Sequence, residues 1–157
     1  MTDTLADSRT SSRTFTEGVP LVVEDVQGKP AAERADMLAD PGFGRYFTDR
    51  MFVARYRAGQ GWYDARLTAY APLQLDPSTA ALHYAQSIFE GLKAYAQPDG
   101  SVATFRPEAN AARFARSAKR LAMPPVPEDA FITAVDGSSC SGAYAVSRAS
   151  YQPSPVR

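Results

Sequence analysis

Two runs of alternating residues fix most of what this chain can become. Met51 to Arg57 places Phe52, Ala54 and Tyr56 on one face, and Tyr63, Ala65, Leu67 and Ala69 alternate on the return. Between them Gly59-Gln60-Gly61 supplies the turn. Period-two patterning on both sides of a glycine-rich turn predicts a β-hairpin, which commits the neighbouring strands to run antiparallel. A second hairpin is predicted further on. Leu92, Ala94 and Ala96 alternate against Lys93 and Tyr95, and Gln97-Pro98-Asp99-Gly100 turns the chain into Ser101 to Phe105. Proline presets one dihedral of such a turn and glycine permits the other.

Helices follow these hairpins and do not alternate with single strands. From Pro107 onward Ala111, Phe114, Ala115, Ala118, Leu121 and Ala122 keep helical spacing, and Pro124-Pro125 ends the run. Pro127-Glu128-Asp129 opens another helix, with Phe131, Ile132, Ala134 and Val135 as its apolar residues. Earlier, Pro30 to Leu38 has helical character and Pro41-Gly42 stops it; a further helix starts at Pro77-Ser78. Leu21-Val22-Val23 reads as a short strand or extended segment. Hairpins and helices in this order predict an α+β fold, an antiparallel sheet with flanking helices. Residues 1–18 read as a polar mobile tail, 19–136 as the folded domain, and 137–157 as an unrelated, disordered tail.

Composition narrows function by exclusion. Seventeen basic and seventeen acidic residues cancel, so no global field recruits nucleic acid or an anionic membrane. One cysteine and one histidine do not supply a disulfide framework, a thiolate or histidine zinc site, or a complete serine-type triad. No apolar run approaches the roughly 20 residues that span a bilayer, and Met1 to Glu17 has no hydrophobic centre of the signal-peptide kind. The expectation is a soluble cytoplasmic protein.

Two stretches carry candidate chemistry. From His83 to Tyr95 the residues Ala81, Leu82, Ala85, Ile88 and Phe89 keep helical spacing until Gly91 permits a turn into a strand. Tyr84 and Phe89 flank that corner, where rigid rings suit the wall of an apolar pocket; packing in the core is the ordinary alternative. The helix after Pro107 carries Arg113, Arg116, Ser117, Lys119 and Arg120 on the side opposite its apolar stripe. Guanidinium groups bind phosphate in a bidentate fashion, so this side suits a phosphorylated ligand; a solvated charged face is the ordinary alternative. The patch is short and lacks interleaved aromatics, which argues against nucleic acid.

His83-Tyr84, Phe89-Glu90-Gly91-Leu92-Lys93-Ala94-Tyr95, Phe105-Arg106-Pro107-Glu108 and Asn110 to Arg113, with Phe43-Gly44 and Phe47-Thr48-Asp49 upstream, resemble the amino-terminal domain of branched-chain amino acid aminotransferases. These are pyridoxal-phosphate enzymes of fold type IV. The resemblance covers roughly Pro20 to Asp136. It implies that Arg113 contacts the cofactor phosphate and that Phe43, Tyr84 and Phe89 wall the pocket for a branched aliphatic side chain. It further implies transfer of an amino group between leucine, isoleucine or valine and 2-oxoglutarate, and a homodimer. D-amino acid aminotransferase and aminodeoxychorismate lyase are the sibling chemistries on the same fold. A non-catalytic fragment that pairs with a full-length copy is the alternative outside enzymology.

The chemistry of this family requires a lysine to hold the cofactor covalently. Lys29, Lys93 and Lys119 are the lysines here, and none lies in a segment like the family's cofactor-lysine region. The expectation is therefore no catalytic residue in this chain, a cofactor not retained, and no turnover. After Asp136 the sequence changes to Gly-Ser-Ser-Cys-Ser-Gly, and the helical periodicity is expected to break there without a cap. If the serines use TCN codons, reading two nucleotides later gives only apolar residues. That is the continuation an amphipathic helix calls for, which suggests a frameshift close to Asp136, natural or from sequencing; a naturally terminated small protein with a disordered tail is the alternative.

Overall fold

The structure is a computed structural model, and it describes residues 13–42, 44–99 and 101–140. In chain order the elements are β1 (Arg13–Thr16), β2 (Val19–Val23), α1 (Ala31–Ala39), β3 (Arg50–Arg57), β4 (Gly61–Ala69), α2 (Ala80–Tyr84), β5 (Ala94–Ala96), β6 (Val102–Thr104), α3 (Pro107–Arg120) and α4 (Glu128–Cys140). The mixture of hairpins and helices is the α+β arrangement the sequence predicts. Both expected hairpins form: β3 pairs antiparallel with β4, and β5 with β6. In the second, the Asp99 carboxylate accepts from the Ser101 N–H at 2.9 Å and from its hydroxyl at 2.7 Å, which closes the turn.

The main sheet has strand order β1-β2-β4-β3 and is not wholly antiparallel. β2 lies parallel to β4, with Leu21 opposite Ala65 and Val23 opposite Leu67. The chain makes this pairing by leaving β2 through α1 and returning through β3, a connection long enough for a parallel neighbour. An antiparallel sheet was the expectation, and the parallel pair is a correction to it.

A second correction concerns the amino-terminal boundary. β1 lies inside the segment read as a tail, and it pairs antiparallel with β2. Phe15 in its centre is 1% exposed and belongs with Leu21, Ala65 and Ala130 in the core. Its ring meets Phe52 at 5.0 Å and the edge of Trp62 at 6.2 Å. One aromatic among hydroxyl residues leaves no periodic signal, yet its burial is worth more than its neighbours' polarity.

Inward-facing residues follow the pleat except at one place. Val19, Leu21 and Val23 face the core from β2, and Phe52 and Ala54 from β3. On β4 the inward set is Trp62, Ala65 and Leu67, so Trp62 takes the position that simple alternation gave to Tyr63. The cause is a bulge. Val53 opposes Arg66 while Arg55 opposes Tyr63, so two β4 residues face one on β3. Asp64 takes up the extra residue at φ 53°, a conformation aspartate tolerates better than most side chains. Its carboxylate then pairs with Arg55 at 3.2 Å and Arg66 at 3.1 Å.

One face of the sheet is covered by α4, which packs on β1, β3 and β4, and α3 packs on α4. Phe114 and Phe131 join the two helices with ring centroids 5.5 Å apart. The expected break at Asp136 does not occur: α4 runs on to Cys140. Gly137 is buried, and a Cβ there would lie 3.7 Å from the Leu67 side chain. The Ser138 hydroxyl donates to the Ala134 carbonyl at 2.8 Å, so the polar residue satisfies itself within the helix. Residues 137–140 thus belong to the fold, and residues 141–157 lie outside the described residues.

Candidate functional site

The predicted pocket corner is reorganised by one backbone conformation. α2 ends at Tyr84 because Ala85 adopts the left-handed region at φ 50°, ψ 30°. Ile88 and Phe89, read as helical, therefore lie in an extended loop from 85 to 93. The Ser87 N–H turns back to the Ala85 carbonyl at 2.7 Å. Gly91 was expected to make the turn, but the positive φ falls at Ala85 instead. His83 folds back onto α2's approach, its Nε2 lying 2.6 Å from the Pro77 carbonyl oxygen.

What holds this loop is α3. Pro107 sits in its first turn, where a missing N–H costs nothing, and Ala111 and Ala118 bury its inner stripe. Asn110 and Arg113, one turn apart, then face the loop. The Glu90 carboxylate reaches between them and accepts four hydrogen bonds. Arg113 donates through Nε to Oε2 at 2.8 Å and through Nη2 to Oε1 at 2.5 Å. Asn110 Nδ2 donates to Oε1 at 3.0 Å, and the Gly91 N–H to the same oxygen at 3.0 Å. Asn110 Nδ2 also donates to the Gly91 carbonyl at 2.9 Å. At the other end of the loop Gln86 Nε2 donates to the Leu121 carbonyl at 2.9 Å, just beyond the end of α3.

The electrostatics follow from this geometry. The Glu90 side chain is 6% exposed, whereas that of Arg113 is 59% exposed. The guanidinium beside it, with help from Asn110 and the Gly91 N–H, holds the Glu90 carboxyl down at about 2 despite the cost of burial. Glu90 in turn raises the Arg113 pKa further above its ordinary range. The bidentate contact uses the Nε and Nη2 edge of the guanidinium. A planar guanidinium carries further donors on its Nη1 side. Arg113 also lines a shallow depression of about 530 Å³, together with Arg116, Ser117, Lys119 and Arg120.

The sequence-predicted residues are distributed unequally around this site. Arg113 stands at its centre, paired with Glu90. Tyr84 is 83% exposed and Phe89 93% exposed, so neither ring is packed in the core. Phe43 lies outside the described residues. A mainly apolar cavity of about 590 Å³ lies elsewhere, between the sheet, the β5 hairpin and the helix pair, with Phe52, Leu92, Phe114 and Phe131 in its wall. Glu90 is the residue that sequence reasoning missed. Its signal was present: a single acid between Phe89 and Gly91, in a loop that has to meet a basic helix.

Three comparisons with known proteins bear on this arrangement. A probable branched-chain-amino-acid aminotransferase of Streptomyces coelicolor is 59% identical over 117 residues, covering 71% of this chain and 32% of that relative. The branched-chain-amino-acid aminotransferase of Mycolicibacterium smegmatis is 56% identical over 101 residues, 64% of this chain and 27% of its own. This chain is a homologue of branched-chain-amino-acid aminotransferases. Branched-chain-amino-acid transaminase 1 of Bacillus subtilis is 52% identical over 94 residues, 60% of this chain and 26% of its own. The chain thus spans between about a quarter and a third of the length of the curated relatives it matches. No protein-family model matches it.

Among the described residues, no group of three histidine, cysteine, aspartate or glutamate side chains is placed to hold a metal ion. No described helix is long and apolar enough to cross a membrane.

Proposed function

We propose that this chain carries the cofactor-phosphate anchor and part of the substrate wall of a pyridoxal-phosphate-dependent branched-chain aminotransferase of fold type IV. The observation that carries the reading is Arg113: an exposed guanidinium, gripped along one edge, that lines a depression together with further cations. That donor set fits a phosphate dianion, for which bidentate guanidinium contacts and additional positive charge are the usual recognition chemistry. Homologues at 52–59% identity bearing the aminotransferase name support it.

Pyridoxal phosphate, when bound, supplies the electron sink that lets an amino group move between an amino acid and 2-oxoglutarate. Arg113 would hold its phosphate, and the basic neighbours Arg116, Lys119 and Arg120 raise the local potential that draws the anion in. Tyr84 and Phe89, with Phe43, offer rigid apolar area to an aliphatic side chain. Leucine, isoleucine and valine have no polar handle, so selection rests on buried area, about 0.8 kcal/mol per methylene. No lysine here takes the covalent role. Lys29 is held by the Asp49 carboxylate through both its backbone N–H and its Nζ, and Lys93 and Lys119 belong to the β5 approach and to α3.

The test is incubation of the 157-residue chain with pyridoxal phosphate, followed by borohydride reduction and mass spectrometry. The expected result is reversible cofactor binding that Arg113→Ala abolishes, no reduced lysine adduct, and no transamination of leucine. A stable adduct on Lys93 or Lys119, or turnover of leucine with 2-oxoglutarate, overturns the absence of a covalent lysine, and undiminished cofactor binding by Arg113→Ala overturns the anchor. A second reading, pairing with a full-length copy, is favoured by the exposure of Leu82, Tyr84, Phe89 and Phe105. A mass shift on mixing with an intact homologue tests it.

A further inference from the structure

The mechanism sketched above uses Arg113 and leaves Glu90 without a task. We infer that Glu90 is the positioning residue for the anion anchor: its carboxylate fixes which edge of the Arg113 guanidinium is presented to a phosphate. The inference rests on the reading of Arg113 as that anchor.

Glu90 is built in and does not behave as a mobile counter-ion. Its side chain is 6% exposed and takes donors from three residues, Gly91, Asn110 and Arg113. An arginine side chain on a helix surface samples many rotamers and loses them when it binds. Here the Nε–Nη2 edge is already committed at 2.8 and 2.5 Å, so the plane of the guanidinium is set before any ligand arrives. The opposite edge is then the one a phosphate oxygen meets. The same carboxylate also connects the anchor to the loop that carries Phe89, because Gly91 and Asn110 are tied through it. Wall and anchor are thereby held at a fixed separation.

Charge and geometry make opposite predictions, and that allows a decisive test. Glu90 places a negative charge beside the anion site. If charge alone mattered, removing it would tighten phosphate binding. If orientation dominates, removing it weakens binding although the site becomes more positive.

The experiment measures inorganic phosphate binding to the full 157-residue chain by NMR titration, following the Arg113 Nε–Hε resonance. Three variants are compared with the native chain: Arg113→Ala, Glu90→Gln and Asn110→Ala. The last keeps the carboxylate charge and removes one of its supports, so it remains informative if Glu90→Gln folds poorly. The expected result is loss of binding in Arg113→Ala, at least a five-fold weakening in Glu90→Gln, and a smaller weakening in Asn110→Ala. The Nε–Hε signal of Arg113 should broaden in Glu90→Gln before any phosphate is added. Equal or tighter phosphate binding by Glu90→Gln, with binding still lost in Arg113→Ala, overturns the positioning role and leaves the anchor standing. Unchanged binding by Arg113→Ala overturns the anchor, and the positioning role with it.

Discussion

Truncating Phe15 to alanine tests whether the fold truly begins before residue 19. The ring is 1% exposed and sits between Phe52 and Trp62 at centroid distances of 5.0 and 6.2 Å. Transfer of a phenylalanine side chain from water is worth about 1.5–3 kcal/mol. Truncation in a close-packed core adds a cavity term and brings the total to about 3–5 kcal/mol. β1 is an edge strand, so its neighbours have room to relax, and the lower end, about 3 kcal/mol, is expected. Domains are stable by only about 5–15 kcal/mol, so such a loss moves the unfolding transition far enough to be unmistakable. The assay is equilibrium urea unfolding followed by Trp62 fluorescence and far-UV circular dichroism. Trp62 is the chain's single tryptophan and touches the mutated site. Thr14→Ala, at an exposed position on the same strand, serves as the control and should change stability by less than about 0.5 kcal/mol. Removal of residues 1–17 should cost at least as much as Phe15→Ala. If Phe15→Ala stays within about 1 kcal/mol of the native chain, or the deletion is neutral, β1 is dispensable and the core assignment is wrong.

Other substitutions probe the backbone and the charges. Ala85→Gly should stabilise the chain by about 0.5–1 kcal/mol, because the left-handed φ of 50° that ends α2 suits glycine better; a loss of stability in urea unfolding would contradict that. Asp64→Val should cost about 1–2 kcal/mol, since a β-branched residue resists φ 53° and the contacts to Arg55 and Arg66 go with it; circular dichroism melts would show it. Acid should weaken the fold in a defined window. The Glu90 carboxyl is held at about 2 against an ordinary 4.5, so the stability it contributes is present above about pH 4.5 and is lost as pH falls towards 2. Asp49, lowered by Lys29, acts in the same direction below its ordinary 3.8. Urea midpoints should therefore fall more steeply over that window in the native chain than in Glu90→Gln, and equal slopes would refute the pair's contribution.

Much of this molecule was written in local pattern. The β3–β4 hairpin, the Pro-Asp-Gly turn and the proline-started helices α3 and α4 depend on residues within a few positions of one another, so their sequence spacing determined them. The basic outer side of α3 was legible for the same reason, whereas Arg113 was singled out among its cations only by the family resemblance. What the sequence did not determine were features that depend on partners far along the chain. Phe15 became core only because β1 docks beside β2 and beneath α4. Trp62 displaced Tyr63 from the inner face because the bulge at Asp64 shifts the pleat by one residue. The loop of residues 85–93 forsook its helical spacing because Glu90 and Gln86 find their partners on α3, more than a turn of helix and a whole hairpin away. Periodicity reports which face of an element is apolar. It does not report which distant groups will satisfy a buried carboxylate, and in this fold that second choice decided how the Arg113 guanidinium is held.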